Sequence, residues 1–236
     1  MPEQNALLVR ARRLHRYYSS GQGRIAALSA VSFDIHANDH IALIGPSGSG
    51  KSTLLGLAAG LDHSEDGTIE WPALAMDSKG RPRGIACAFQ APSLIPSLTL
   101  YENCLLPLVL AGEEARSDEI STALDLFGIV NLADRLPEQV SGGQAQRAAL
   151  ARAVVTRPRL LIADEPTGQL DQVTRLRVIE ALMIWGRAAD CALLIASHDL
   201  EIAARVGTIW TIEHGKLTCP PRGSDARSTP DWGSAA

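Results

Sequence analysis

The chain has 236 residues, of which 46% are hydrophobic and 20% charged, and its formal net charge is −4. This length and composition predict one globular domain, with or without a subdomain, and the acidic balance gives no basis for a nucleic-acid partner. The first residues lack the layout of a signal peptide, and no run approaches the roughly 18 apolar residues of a membrane-spanning helix. We therefore expect a chain that does not cross a membrane by itself.

The four cysteines are scattered along the chain, with no C-x-x-C spacing. This spacing argues against both a metal site and a disulfide framework. Three of them stand in apolar runs and are explained as small core residues. The pattern fits a reducing, cytosolic compartment. The cysteines are Cys87, Cys104, Cys191 and Cys219.

Two segments near the start, 6–13 and 30–35, alternate apolar and polar side chains, which predicts two strands with one covered face. A polar, glycine-containing turn at 19–23 lies between them. Tyr17 and Tyr18 stand just before this turn, where an exposed ring would be able to stack on a nucleotide base. On pattern alone, either tyrosine is explained equally well as an ordinary strand residue.

Residues 45–52 read G-P-S-G-S-G-K-S and fit G-x-x-x-x-G-K-[ST] at every fixed position. They follow the apolar run 41–44, a predicted buried strand, and lead into a predicted helix. Glycines let the backbone wrap around an anion, and amide groups at a helix N-terminus point at it. Lys51 would reach the β- and γ-phosphates and Ser52 would ligate Mg²⁺. A chance Gly/Ser turn does not account for all fixed positions, so we predict binding of a nucleoside triphosphate.

The middle of the chain begins with a predicted short strand at 68–71 and a surface loop at 72–84. A buried strand is predicted at 85–89, and it ends at Gln90, a polar amide where open α/β sheets bind ligands. The following segment, Ala91 to Pro107, is apolar and broken by prolines. A mainly helical stretch is predicted from there to about Arg135.

A second glycine-containing helix start follows at Ser141-Gly142-Gly143. Ser141 is the predicted N-cap, and the helix ends before Pro158. A serine and two glycines at a helix start form a further anion-binding nest. By itself this short motif is weak evidence.

Two adjacent carboxylates, Asp164 and Glu165, end the predicted buried strand 160–165. In a phosphate-loop protein, this position suits a Mg²⁺-coordinating Asp and a water-activating Glu. The alternative is an acid pair that caps the following helix, predicted at 172–188.

His198 follows the next predicted buried strand, 192–196. A single histidine there is more often structural, but polar groups also end the two strands before it, and three such groups favour a γ-phosphate sensor. Segments 208–213 and 216–218 predict a closing hairpin. From Cys219 onward the composition predicts disorder.

The full set of motifs, in this order, resembles the ATP-binding subunit of an ABC transporter. The resemblance covers about Leu7 to Leu217, and its discriminating element is V-S-G-G-Q-A-Q-R at 140–147, which other phosphate-loop ATPases and GTPases lack. It implies an α/β fold: a P-loop NTPase (RecA-like) core with an antiparallel β subdomain and an inserted α-helical subdomain. It also implies an ATP-binding domain at 6–217, with the helical subdomain at about 92–157 and a disordered tail at 218–236.

The resemblance implies an adenine-stacking role for Tyr18, which stands three residues before Gly21, with Tyr17 as the second choice. The ATP-binding residues it implies are Tyr18, Gly45, Pro46, Ser47, Gly48, Ser49, Gly50, Lys51, Ser52 and Thr53. The cofactors it implies are ATP and Mg²⁺.

The resemblance also assigns the chemistry. Gln90 would contact Mg²⁺ and the attacking water, Asp164 would hold Mg²⁺ through water, and Ser52 would be a further ligand. Glu165 would be the general base, and His198 would contact the γ-phosphate.

A second set of residues would act on ATP bound by an opposing subunit, closing over its phosphate loop in trans. This set is Ser141, Gly142, Gly143 and Gln144. Asp171 would lie at the dimer seam. One departure from the family pattern, Gln169 in place of a common Asn, puts communication across the dimer in question; two others, at Asn38-Asp39 and Val140, are expected to have little consequence.

Within the family, the segment from Phe89 to Leu108 looks most like the lipoprotein-release, macrolide-efflux and cell-division group. The implied partners are a second ATP-binding subunit and an integral-membrane permease, at the cytoplasmic face of the inner membrane. Apolar residues of 94–108 would either receive the permease or form core. The alternative function is a non-transport ABC ATPase that regulates an extracytoplasmic process. A soluble ABC protein acting on ribosomes or DNA is disfavoured, because the chain holds one contiguous motif set.

Overall fold

The structure is a computed structural model that describes residues 6–20, 23–112 and 117–220. Within these ranges the strands are β1 (Leu7–Ser20), β2 (Gly23–His36), β3 (His40–Ile44), β4 (Asp66–Glu70), β5 (Ile85–Ala88), β6 (Leu160–Asp164), β7 (Ala192–Ser197), β8 (Thr208–Glu213) and β9 (Lys216–Thr218). The α-helices are α1 (Lys51–Ala58), α2 (Leu100–Ala111), α3 (Ser117–Leu126), α4 (Gly142–Val154), α5 (Gln172–Ala188) and α6 (Leu200–Val206). Most of the tail expected to be disordered, 221–236, lies outside the described residues.

A six-stranded sheet in the order β5-β6-β7-β3-β8-β9 forms the centre of the fold. Its first five strands are parallel, and β9 pairs antiparallel with β8. Because side chains alternate along a strand, β6 sends Leu161 and Ala163 into one core and Leu160 and Ile162 into the other. Burial on both faces explains the continuous apolar runs of these strands and confirms the expected α/β phosphate-loop fold.

A second sheet, in the order β2-β1-β4, is antiparallel and packs with α1 over one face of the central sheet. Strand β1 continues well past its predicted end at residue 13, and β2 begins well before its predicted start at residue 30. Near Arg13 the register shifts, and Arg13 has a φ of 51°, so the alternation is interrupted there. Beyond His15, β1 pairs with β2 alone, and the exposed end of this hairpin carries polar residues that the pattern assigned to a turn.

Helices α2, α3 and α4 pack together against the opposite face of the central sheet. The prediction of a proline-broken segment up to Pro107 is wrong, because α2 begins at Leu100 and runs through Pro107. Thr99 and Glu102 form a capping box at its start. The buried Asn103 amide donates to the carbonyls of Ile95, Leu98 and Thr99, so it fixes the segment before the helix.

Two further elements differ from the prediction. Strand β5 is only half-buried, because it lies at the edge of the sheet and among the described strands pairs only with β6. Helix α6 was not predicted, because its seven residues are too few to show a clear apolar periodicity. By contrast, α5 has the predicted bounds.

Cys87, Cys104 and Cys191 are free thiols. Cys104 and Cys191 are buried core residues, as predicted, whereas Cys87 and Cys219 are half-buried. Burial raises the pKa of Cys104 and of Cys191 to about 12, and that of Cys87 to about 11. Across the described ranges, none of the helices combines the length and apolar character that a membrane-spanning helix requires.

Candidate active site

The carboxyl ends of four parallel strands meet at one edge of the central sheet. β3 leads into the phosphate loop, β5 into Gln90, β6 into Asp164 and Glu165, and β7 into His198. Because these strands are neighbours in register, their ends converge, and all four side chains line one cavity of about 650 Å³ together with part of the loop. The loop residues that line it are Ser47, Gly48, Gly50, Lys51, Ser52 and Thr53. This is where open α/β sheets bind ligands.

The phosphate loop wraps around the Lys51 ammonium group. Lys51 is buried, and its Nζ donates to the carbonyls of Gly45 at 2.7 Å and Pro46 at 3.1 Å. Gly50, the N-cap of α1, has a φ of 109°, which only glycine adopts without strain. Gly45 lies against the Ile212 backbone carbonyl, where a Cβ atom would overlap it. The loop therefore presents backbone amides and one cation at a helix N-terminus, the chemistry of a phosphate site.

Ser52 and Asp164, 112 residues apart in sequence, are in direct contact. The Ser52 hydroxyl donates to Asp164 Oδ2 at 2.6 Å. Among the described residues, no cluster of three or more His, Cys, Asp or Glu side chains forms a metal site by itself. The oxygens of Ser52, Asp164 and Gln90 nevertheless suit Mg²⁺, which binds proteins through one or two carboxylates and completes its shell with water and phosphate oxygens.

Glu165 and His198 form the second polar pair of the cavity. Glu165 Oε2 lies 2.9 Å from His198 Nδ1, and the carboxylate is 12% exposed while the imidazole is 73% exposed. The Glu165 backbone has a φ of 48°, which costs a residue with a side chain about 1–3 kcal/mol. The strand end therefore holds a mostly buried carboxylate in a fixed direction, beside a histidine that faces the solvent.

Tyr18 lines the same cavity, beyond the phosphate loop. Its hydroxyl donates to Asp62 Oδ2 at 3.2 Å and lies 3.4 Å from Thr53 Oγ1, and the Arg16 guanidinium lies 4.9 Å from its ring centroid. Arg16 itself is paired with Asp62 at 2.9 Å. The alternative aromatic, Tyr17, stacks with His15 instead. The structure thus brings Tyr18 to the loop, while Gly21 lies outside the described residues.

The residues expected to act in trans lie in a different depression, of about 330 Å³, together with Asp171. Ser141 caps α4: its Oγ accepts from the Gln144 N–H at 3.2 Å, and Gln144 Oε1 accepts from the Ser141 N–H at 2.8 Å. None of Ser141, Gly142, Gly143 and Gln144 is among the described residues that line the first cavity. The two halves of the expected composite site therefore line different depressions of this chain, and Gln169 lines both.

Asp171 is the N-cap of α5, where its Oδ1 accepts from the Thr174 N–H at 3.0 Å. The hydrogen bond with Thr174 lowers the pKa of the Asp171 carboxyl. Gln169, the residue that departs from the family pattern, packs its side-chain oxygen against Gly142 of the same chain.

The residue that the sequence reasoning missed is Gln146, a buried amide in contact with the backbone of Glu165 and Gln169. The sequence pattern that could have identified it is a polar side chain on the face of α4 that carries Leu150 and Ala153.

Comparison with known proteins places this geometry in a family. A family model described as "ABC transporter" matches residues 28–168. The lipoprotein-releasing system ATP-binding protein LolD of Legionella pneumophila (strain Paris) is 36% identical over 90% of this chain and 98% of its own length. The uncharacterized ABC transporter ATP-binding protein YbbA of Escherichia coli (strain K12) is 37% identical over 92% of this chain and 98% of its own length.

A solved structure titled as a dimeric post-hydrolysis state of the ATP-binding cassette MJ0796 bound to ADP and Pi superposes with a TM-score of 0.81 and 28% identity. The match covers 89% of this chain and 96% of that chain. The chain belongs to the ABC transporter family and is an ATP-binding, ATP-hydrolysing subunit of that family.

Proposed function

We propose that two copies of this chain pair head to tail, so that each phosphate loop is closed by the partner subunit's Ser141–Gln144 segment. The observation that carries this proposal is that the phosphate loop and the capped start of α4 line two different depressions, which share only Gln169 among their described lining residues. A single copy therefore offers only half of the polar groups around bound ATP. A solved structure of the ABC transporter cassette MJ0796 is described as dimeric, which supports the pairing of two copies. Asp171, beside the α4 start, would lie at the seam.

Within each site, Lys51 and the loop amides hold the phosphates, and the Tyr18 ring stacks on adenine. Ser52, Asp164 and Gln90 would hold Mg²⁺, which would supply neutralising charge to the β- and γ-phosphate oxygens. Gln90 also orients the attacking water.

Glu165 accepts a proton from this water as the water oxygen attacks the γ-phosphorus and the bond to the leaving ADP oxygen breaks. His198, 2.9 Å from the carboxylate, contacts the γ-phosphate and holds Glu165 toward the water. ADP and inorganic phosphate are released, and the general base returns its proton to solvent.

The ATP-binding domain would span 6–217, with α2, α3 and α4 in a helical subdomain at about 92–157. We propose that hydrolysis powers a separate integral-membrane permease from the cytoplasmic face of the inner membrane, in an export or mechanical release process. The likeness to LolD proteins, named for lipoprotein release, supports this class. Purifying the tagged chain from membranes, and identifying the permease bound to it, separates this function from a purely regulatory one.

The proposed dimer is tested with two inactive variants. Ser141→Arg removes the in-trans contact and Lys51→Ala removes the phosphate ligand, so each should lack ATPase activity alone. In a mixture, a heterodimer retains one intact composite site, and roughly a quarter of the wild-type activity per chain should return. Ser117→Arg, an exposed position on α3, is the matched control and should remain active. No recovery in a mixture shown to contain heterodimers would refute the in-trans arrangement.

A further inference from the structure

Gln146 is a buried amide, 2% exposed, on the first turns of α4. Its Nε2 donates to the Glu165 carbonyl at 2.8 Å, and its Oε1 accepts from the Gln169 N–H at 3.1 Å. Both ends of the amide are therefore bonded to one turn, 165–169, which follows β6. A side chain that satisfies two backbone groups of another element fixes their separation and orientation.

The turn that Gln146 contacts contains the strained backbone of Glu165, with its φ of 48°. Such a conformation persists only where its surroundings hold it. Two further hydrogen bonds hold the Glu165 backbone. The Glu165 N–H donates to the Ala196 carbonyl at 3.0 Å, and the Glu165 carbonyl accepts from the Gly168 N–H at 3.1 Å. Rotation of the Glu165 backbone would move its carboxylate away from His198. The hydrogen bond from Gln146 therefore helps to set the orientation of the general base.

The start of α4 contacts the same turn at two more points. Gly142 lies against the Gln169 side-chain oxygen, and Gly143 lies against the Gln169 carbonyl and the Leu170 side chain. A Cβ atom at Gly142 would overlap that oxygen, and one at Gly143 would lie 2.8 Å from Leu170 Cδ2. The segment that serves the partner's ATP is thus packed, within its own subunit, on the turn that carries its own Glu165.

We propose that Gln146 is a positioning residue that holds the Glu165 peptide in its left-handed conformation and fastens it to the start of α4. Through this amide, the orientation of the general base depends on the position of the segment that closes the opposite site. This inference rests on the proposed function, because it assumes that Glu165 is the general base. It adds to the hydrolytic machinery a residue that lines the cavity and acts through its hydrogen bond to the Glu165 backbone.

The test uses Gln146→Met, which keeps the length of the side chain and loses both hydrogen bonds. We expect kcat at saturating ATP to fall roughly tenfold to hundredfold, since small misplacements of reacting groups have effects of this size. The dissociation constant for ATP should change by less than about twofold, because the phosphate loop is untouched. In a Glu165→Gln background the same substitution should leave the ATP-dependent dimer intact.

A control and a second variant separate positioning from simple destabilisation. Trp71→Phe removes one comparable bond, from Trp71 Nε1 to the Ala58 carbonyl at 2.9 Å, in the antiparallel sheet region. It should lower the urea midpoint without lowering kcat. Gln146→Glu keeps the acceptor for the Gln169 N–H but replaces the donor to the Glu165 carbonyl with a carboxylate oxygen, which repels that carbonyl, and it should lose kcat as Gln146→Met does.

A kcat in both Gln146 variants within twofold of that of Trp71→Phe would overturn the inference. So would a fall in kcat accompanied by an equal rise in the ATP dissociation constant, or by loss of the dimer in the Glu165→Gln background. The wild-type chain is measured alongside. If it showed no ATPase activity, the proposed function would be overturned, and this inference with it, so the two failures remain distinguishable.

Discussion

Replacing Glu165 by glutamine removes one charge and one proton acceptor while keeping the size of the side chain. Because the carboxylate is 12% exposed and in contact with His198 Nδ1, the isosteric amide should occupy the same space and keep a hydrogen bond to the imidazole. The change is therefore confined to acid–base chemistry. The phosphate loop, which makes no hydrogen bond with the Glu165 side chain among the described contacts, should still bind ATP.

A general base contributes about 10²–10⁴-fold to a rate. Loss of Glu165 should therefore raise the activation barrier by about 3–5 kcal/mol, which places turnover near the background of a phosphate-release assay. Since ATP remains bound and intact, the composite dimer should persist instead of dissociating after hydrolysis. Size-exclusion chromatography with ATP should show Glu165→Gln as a dimer and the wild-type chain mainly as a monomer.

Glu201→Gln is the matched control, because it makes the same chemical change on α6. Glu201 is 43% exposed, and its carboxylate lies 3.5 Å from Arg205 Nη2, a surface pair worth about 0–1 kcal/mol. It should hydrolyse ATP at the wild-type rate. Turnover in Glu165→Gln within tenfold of this control would refute the assignment of Glu165 as general base.

Gly56→Ala should raise stability by about 0.5–1 kcal/mol, because Gly56 lies inside α1 and an added methyl group would meet its nearest distant neighbour at 3.7 Å. Calorimetry should show a melting temperature higher by about 1–4 °C, and a decrease would contradict this packing. Tyr18→Ala should weaken ATP binding by about 1–3 kcal/mol, or roughly fivefold to hundredfold in Kd, and leave tripolyphosphate binding unchanged. Equal losses for both ligands would exclude base stacking. Cys104 and Cys191, whose raised pKa of about 12 keeps the thiols protonated, should resist a thiol reagent at about pH 8 until the chain unfolds. Modification of the native chain at either position, seen by mass spectrometry, would show that they are accessible.

The functional strand ends were predictable because a local sequence pattern marks each of them. The apolar runs before Gly45, Asp164 and His198 are bounded by polar residues, and each forms a strand with a polar terminus as predicted. What the pattern does not contain is the lateral order of the strands, which for β3 depends on contacts with residues more than 100 positions away. The contact of Ser52 with Asp164 follows from that order.

The failures have particular physical causes. Pro107 is tolerated within α2, although proline more often ends a helix, because tertiary packing of Leu100, Cys104 and Leu108 compensates for the lost hydrogen bond. The end of the β1–β2 hairpin protrudes beyond β4 and so lacks one covered face. Gln146 interrupts the apolar face of α4. A polar residue at such a position indicates that it has a hydrogen-bonding partner, but the sequence does not identify that partner.

Strand β3 lies between β7 and β8, both of which come about 150 residues later in the chain. During synthesis, the strand that leads into the phosphate loop therefore has no lateral partners in its sheet until the C-terminal part emerges from the ribosome. At about 5–20 residues per second this interval lasts roughly 8–30 s. The nascent chain passes through it with both edges of the segment His40–Ile44 unpaired in this sheet, and truncation before Ala192 would leave β3 without the two neighbours that it has in the folded core.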